Sequence, residues 1–145
     1  MIDLPTDTIA TLRESWLMIA PHGVDVASIF YQRLFDTDPS LKALFASTDM
    51  AMQNEKLIGA IAAVMDALDD LSAVVPVLEK LGRRHAEFGV TRAQYDMVGS
   101  ALLWTFAKIL KDAFTSKVRS AWTLAYAWVA RIMADAAELA DSSVA

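Results

Sequence analysis

Apolar side chains return at Leu71, Val74, Val75, Leu78 and Leu81, the three- and four-residue spacing of a helix that buries one face. The next place in that stripe is filled by His85, so one of only two histidines in the chain points inward. Arg83 and Glu87 fall away from the stripe, and Gly89 is placed to close the helix in a left-handed conformation. A buried imidazole either satisfies its two ring nitrogens with hydrogen bonds or holds a metal ion. For a lone core histidine the first is the commoner, and the stripe by itself leaves both open.

The same period runs through the rest of the chain. A first helix is predicted from Thr6 to Ala20, with Ile9, Leu12, Trp16 and Ile19 or Ala20 inside, and Pro21-His22-Gly23 breaks it. His22 reads as an exposed corner residue without a role. From Val24 to Asp36 a second helix sets Val24, Ala27, Tyr31 and Leu34 on one face and turns Gln32 and Arg33 to water. A buried tyrosine hydroxyl needs a partner, and by position alone that partner is a backbone carbonyl.

Asp38 and Pro39 read as the cap and first residue of a short helix, Pro39 to Leu44, that delivers Phe45. A polar loop from Ala46 to Ala51 follows. Gln53, Leu57, Ala60, Ile61, Val64 and Leu68 then share a helical face, with Gln53 at its edge, and Asp69-Asp70 ends the helix. The helix of His85 starts near Leu71, with Pro76 close enough to that start to be tolerated or to kink it. Thr91-Arg92-Ala93-Gln94 is a capping box. It opens a helix with Tyr95, Val98, Leu102, Phe106 and Ile109 inward. After a break at Ala113 to Thr115, a last helix buries Val118, Trp122, Ala125, Val129, Ile132 and Ala136. With no strand pattern, repeat or linker, the reading is an all-α fold with residues 1–145 as a single domain.

A net charge of −5 and the lack of any Lys/Arg run argue against nucleic-acid binding. Zero cysteines exclude disulfides, a thiolate nucleophile and cysteine-ligated metal. The acids at Asp3 and Asp7 stand where a signal peptide carries basic residues. The longest apolar run, Leu57 to Met65, stops at Asp66, well short of the roughly 20 residues a spanning helix needs. The expectation is a soluble cytoplasmic protein with no membrane contact.

Phe30-Tyr31-x-x-Leu34-Phe35, Leu44-Phe45, Gln53 with Leu57, Gly82-Arg83-Arg84-His85, Tyr95-x-x-Val98-Gly99 and Ala121-Trp122…Ala125-Tyr126, in this order and spacing, resemble a globin. The pattern is most like the bacterial single-domain haemoglobins and the haem domain of flavohaemoglobins, and it covers nearly the whole chain. The resemblance implies the globin fold around a buried haem b. It makes His85 the proximal iron ligand, Phe45 the ring stacked on the porphyrin, and Tyr31 and Gln53 the distal pair facing a bound ligand. Leu57 becomes the apolar wall beside that ligand, and Tyr95 the tyrosine behind the proximal side. Val98 is counted with the cofactor-binding residues, and Lys56 and Arg84 are placed to reach the haem propionates. Met50 and Met52 read as core filler, not as axial ligands.

The implied function is reversible binding, storage or delivery of dioxygen, with carbon monoxide and nitric oxide as further ligands. A rival is a nitric oxide dioxygenase, turning nitric oxide into nitrate, for which 145 residues leave no room for a reductase domain; a separate reductase is then obligatory. A third is a sensor or interaction module of globin fold. A monomer and a homodimer are both compatible with the sequence. One departure separates the first two. Flavohaemoglobin-like chains complete a His-Tyr-Glu network from the last helix, which makes the proximal imidazole more basic. Here Ala137 holds that place and Glu138 stands one residue off, a turn of about 100° round the helix, which favours ligand binding.

Overall fold

The structure, a computed structural model, describes residues 4–144, with side chains described through Leu139. Six α-helices carry the described residues, and no strand is among them: α1 (Thr6–Ile19), α2 (Gly23–Thr37), α3 (Met50–Asp66), α4 (Val75–Glu87), α5 (Arg92–Leu110) and α6 (Ser116–Val144). Short 3-10 turns at Ala20–His22, Pro39–Phe45, Leu71–Ala73 and Lys111–Ala113 join them. This is the all-α architecture expected from the sequence. None of the described helices is long and apolar enough to cross a membrane.

Local chemistry sets most boundaries. Asp38 accepts from the Ser40 N–H, and Asp49 accepts from the N–H groups of Ala51 and Met52 at 3.0 and 3.3 Å. That second cap starts α3 at Met50, so the polar loop is shorter than the sequence suggested. Both halves of the Thr91–Gln94 capping box form. Gly89 takes a φ of 81° beyond the end of α4, a left-handed position that glycine fills without strain.

Two expectations are corrected. The helix of His85 does not run on from Leu71. Leu71–Ala73 is a separate 3-10 turn, and α4 begins at Val75 with Pro76 in its first turn, because proline lacks an N–H and its ring clashes with a preceding helical turn. Val24 is 79% exposed, and the buried face of α2 is Val26, Ala27, Phe30, Tyr31 and Leu34. Val24 lies on the same side of α2 as Tyr31 but two turns earlier, where the stripe has run past anything that covers it. At the end of α1, Ile19 is buried and Ala20 is exposed.

The bundle is held by α4 against α6, α2 against α5, and α1 against α6. At the first crossing a Cβ on Gly82 would overlap the Met133 backbone, so glycine lets the two helices touch. Trp122 of α6 packs on Phe106 with ring centroids 4.7 Å apart and donates its indole N–H to the Ser15 hydroxyl at 2.9 Å. Ser15 donates in turn to carbonyls of its own helix, so this buried polar cluster has no unpaired member.

Candidate cofactor site

His85 stands in the last full turn of α4, half-buried, and its Nδ1 lies 2.8 Å from the Leu81 carbonyl. A carbonyl can only accept, so Nδ1 carries the proton and the lone pair is left on Nε2, which bonds no described residue. The choice left open by the stripe is thereby narrowed: one ring nitrogen is satisfied by its own helix and the other is free to ligate. Among the described residues no three His, Asp or Glu side chains converge.

Behind His85 lies Tyr95 of α5, its ring stacked at 26° with a 6.5 Å centroid separation. The Tyr95 hydroxyl is buried and has no hydrogen-bond partner, and burial raises its pKa, with Arg92 opposing. Tyr126 fixes the Tyr95 backbone by donating its hydroxyl to the Tyr95 carbonyl at 2.6 Å, with Gly99 giving room for its ring. Glu138 is turned outward. It forms an ion pair with Arg92, which also holds Asp135 at 2.9 Å, so no carboxylate of this turn engages Tyr95 or His85.

The second group of side chains comes from α2, α3 and the Pro39–Phe45 turn. The Gln53 amide donates to the Tyr31 hydroxyl oxygen at 3.0 Å, so the partner of that hydroxyl is a side chain and not the backbone carbonyl expected from position. Tyr31 is buried, and its burial raises the phenol pKa, partly offset by the Gln53 bond. Phe45 meets Tyr31 edge-on at 5.5 Å, and Phe30 and Phe35 close the cluster at 4.9 and 6.0 Å from the Tyr31 ring. Phe30 and Phe35 belong to the Phe30-Tyr31-x-x-Leu34-Phe35 motif, whose spacing alone assigns neither ring to the Tyr31 contact.

The main packing of α4 is on α6, with nothing comparable against α2 or α3, while Phe45, Leu57, Leu81, Val90 and Val98 stay only half-buried. Lys56 and Arg84 are exposed, one residue from Leu57 and His85, and neither has a carboxylate within 4.0 Å among the described residues. The structure thus joins Tyr31, Gln53 and Phe45 directly and joins His85 to Tyr95. It records no contact that brings Lys56 and Arg84 to either group.

A helical bundle with one imidazole hydrogen-bonded to its own helix, and a tyrosine and a glutamine hydrogen-bonded to each other across two further helices, agrees with the globin resemblance. The globin family model matches residues 28–133, and the chain belongs to the globin family. Its relatives include the flavohemoprotein of Vibrio cholerae serotype O1, 32% identical over 91% of this chain and 34% of that protein, and that of Rhizobium meliloti, 34% identical over 81% and 30%. The chain therefore spans about a third of the length of these curated relatives, and the similarity is to their haem-domain part. Among solved structures, an engineered carbene transferase assigned as a nitric oxide dioxygenase from Rhodothermus marinus shares the fold. Its TM-score is 0.88 at 23% identity, covering 97% of this chain and 98% of that one. A hexacoordinated heme protein from an anhydrobiotic tardigrade matches with a TM-score of 0.82 at 16% identity, covering 93% of this chain and 96% of that one.

Proposed function

We propose that this globin holds haem b through His85 and binds dioxygen reversibly, for storage or delivery. The observation that carries the reading is that the chain holds both an imidazole nitrogen without a protein partner and a part-buried Tyr31–Gln53 hydrogen bond. The residues fit a large, flat, apolar group with an iron at its centre. Nε2 of His85 is an available ligand, and the half-buried Phe45, Leu57, Leu81, Val90 and Val98 supply apolar surface still open to a partner.

What haem supplies when bound is an iron with one open position for a diatomic ligand. The chain's own residues decide what happens there. The Leu81 carbonyl fixes the His85 tautomer and ring orientation, as partners behind a metal-bound histidine generally do. Because the Gln53 amide donates into the Tyr31 oxygen, the Tyr31 proton is free to be donated in turn, and a phenol holds that proton at neutral pH with or without the upward push of burial. A donor in a dry, low-dielectric pocket stabilises developing negative charge on a ligand more than it would in water. In this reading Phe45 would stack on the porphyrin, Leu57 would exclude water beside the ligand, and Lys56 and Arg84 would meet the propionates.

Nitric oxide dioxygenase activity is the second reading, favoured by the name assigned to the Rhodothermus neighbour. It ranks lower because Glu138 is held by Arg92 and the Tyr95 hydroxyl is unpartnered, so among the described residues no carboxylate reaches His85 through Tyr95. It also requires an electron donor. Absorption spectra of the purified protein, ferric, reduced and carbonylated, test haem content and coordination together. A protein that takes up no haem when supplied with it would overturn the reading.

A further inference from the structure

Trp104 of α5 is 38% exposed, its ring reachable from solvent. The Arg33 guanidinium of α2 lies 4.6 Å from its ring centre, and the Lys108 ammonium, one turn along α5, lies 5.0 Å from it. Among the described residues neither cation has a carboxylate within 4.0 Å, in a chain whose net charge is −5. The nearest acid on α2, Asp36, is engaged by the Gln32 amide. Arg33 also borders a groove of about 260 Å³ whose wall includes Met97, Ser100 and Asp96. Asp96 is two helical turns from Trp104, roughly 12 Å along α5.

We infer that Arg33, Trp104 and Lys108 form a docking spot for the carboxylate-rich face of an electron-donor protein. Tryptophan and arginine are the residues most enriched among those that carry binding energy in protein interfaces. Here the two cations already hold the ring in place, so little side-chain freedom is lost on docking. Two unpaired cations on an acidic protein mark where an acidic partner meets attraction and not repulsion. The spot lies on the outer side of the helices that carry the site. Arg33 follows Tyr31 by two residues, about 200° round α2, and Trp104 follows Val98 by six residues, about 9 Å along α5. The inference rests on the haem reading, because iron that becomes ferric must be reduced again. One electron leaves the partner, and ferric iron becomes ferrous; no proton or group is transferred at the docking spot.

The test uses the haem-loaded protein with flavodoxin, a small acidic flavoprotein, as probe. Oxidised flavodoxin should shift the Trp104 indole N–H resonance, identified by its loss in Trp104→Phe. Reduced flavodoxin should reduce the ferric protein in a saturable reaction that slows about tenfold between roughly 20 and 300 mM salt. Arg33→Gln with Lys108→Gln should lose about tenfold at low salt, while dithionite, which needs no docking, reduces variant and wild type equally. An unmoved Trp104 resonance, or equal rates with flavodoxin in variant and wild type, overturns the inference. So does a Trp104 shift that follows protein concentration without flavodoxin, which would make the face a self-association surface. Lack of haem would instead appear in the spectrum before any reductant is added, and a Trp104 shift without electron transfer would reject the electron donor as the occupant.

Discussion

The Gln53 side-chain amide donates to the Tyr31 hydroxyl across the packing of α3 on α2, joining residues 22 apart in the chain at 3.0 Å. The bond uses the tyrosine oxygen and leaves its proton unspent, so Tyr31 is a donor toward whatever lies beyond it. Burial and this bond pull the Tyr31 pKa in opposite directions, and burial wins.

Tyr95 and Tyr126, the other two tyrosines, are also pushed up, in both cases chiefly by burial. All three phenols therefore ionise more readily in the unfolded chain, whose tyrosines titrate near pH 10. Their neutral forms contribute stability that is complete below about pH 10 and is lost as the pH rises through the folded values. A near-ultraviolet titration should show no separate phenolate step before unfolding. One cooperative rise should coincide with loss of helical circular dichroism. Early ionisation of any tyrosine would show that it is more open to water than this packing allows.

Two glycines should respond to alanine with opposite signs. A methyl at Gly82 meets the Met133 backbone, which cannot rotate away, so Gly82→Ala should cost about 2–3 kcal/mol in urea unfolding. Gly59 is exposed within α3 and a Cβ there meets nothing within 4 Å, so Gly59→Ala should gain about 0.5–1 kcal/mol from helix propensity. Equal losses at both positions would contradict the α4–α6 contact.

The contrast between these contacts also shows what could be read from sequence. The caps at Asp38 and Thr91, the left-handed Gly89 and the inward stripe ending at His85 are local, fixed by residues within a turn or two, and the chain states them openly. Pro76 was visible too, but only the structure shows it separating Leu71–Ala73 from α4. Val24 misled because periodicity gives a face and not how far along the helix a neighbour covers it. The Arg92 pairs with Asp135 and Glu138 span 43 and 46 residues and leave no local trace. Tyr31 and Gln53 were paired by family resemblance, since neither position alone pointed beyond a buried hydroxyl and an edge amide.

Replacing His85 by alanine tests the ligand directly. The variant keeps α4, because alanine favours helix and the Leu81 carbonyl can bond water. It should lose the five-coordinate ferrous spectrum, and added imidazole should restore it by entering the space left behind. Retention of the wild-type spectrum without imidazole would assign the iron to another ligand.

The last expectation concerns the Tyr31 proton. A hydrogen bond to a charge-bearing group is worth roughly 1.5–3 kcal/mol, so Tyr31→Phe should speed oxygen dissociation by about ten- to a hundredfold. Carbon monoxide draws less charge from iron, and its release should change far less. Phenylalanine keeps the ring contacts with Phe30, Phe35 and Phe45, which makes the comparison one of hydrogen bonding and not of space. Gln53→Leu acts through the same unit. It removes the donor that orients the Tyr31 oxygen, so its effect should shrink when Tyr31 is already phenylalanine, as coupled groups show in a double-mutant cycle. Equal acceleration of oxygen and carbon monoxide release in Tyr31→Phe would mean that Tyr31 acts by bulk, and additive effects of the two substitutions would mean that the bond between Gln53 and Tyr31 does not set the donor.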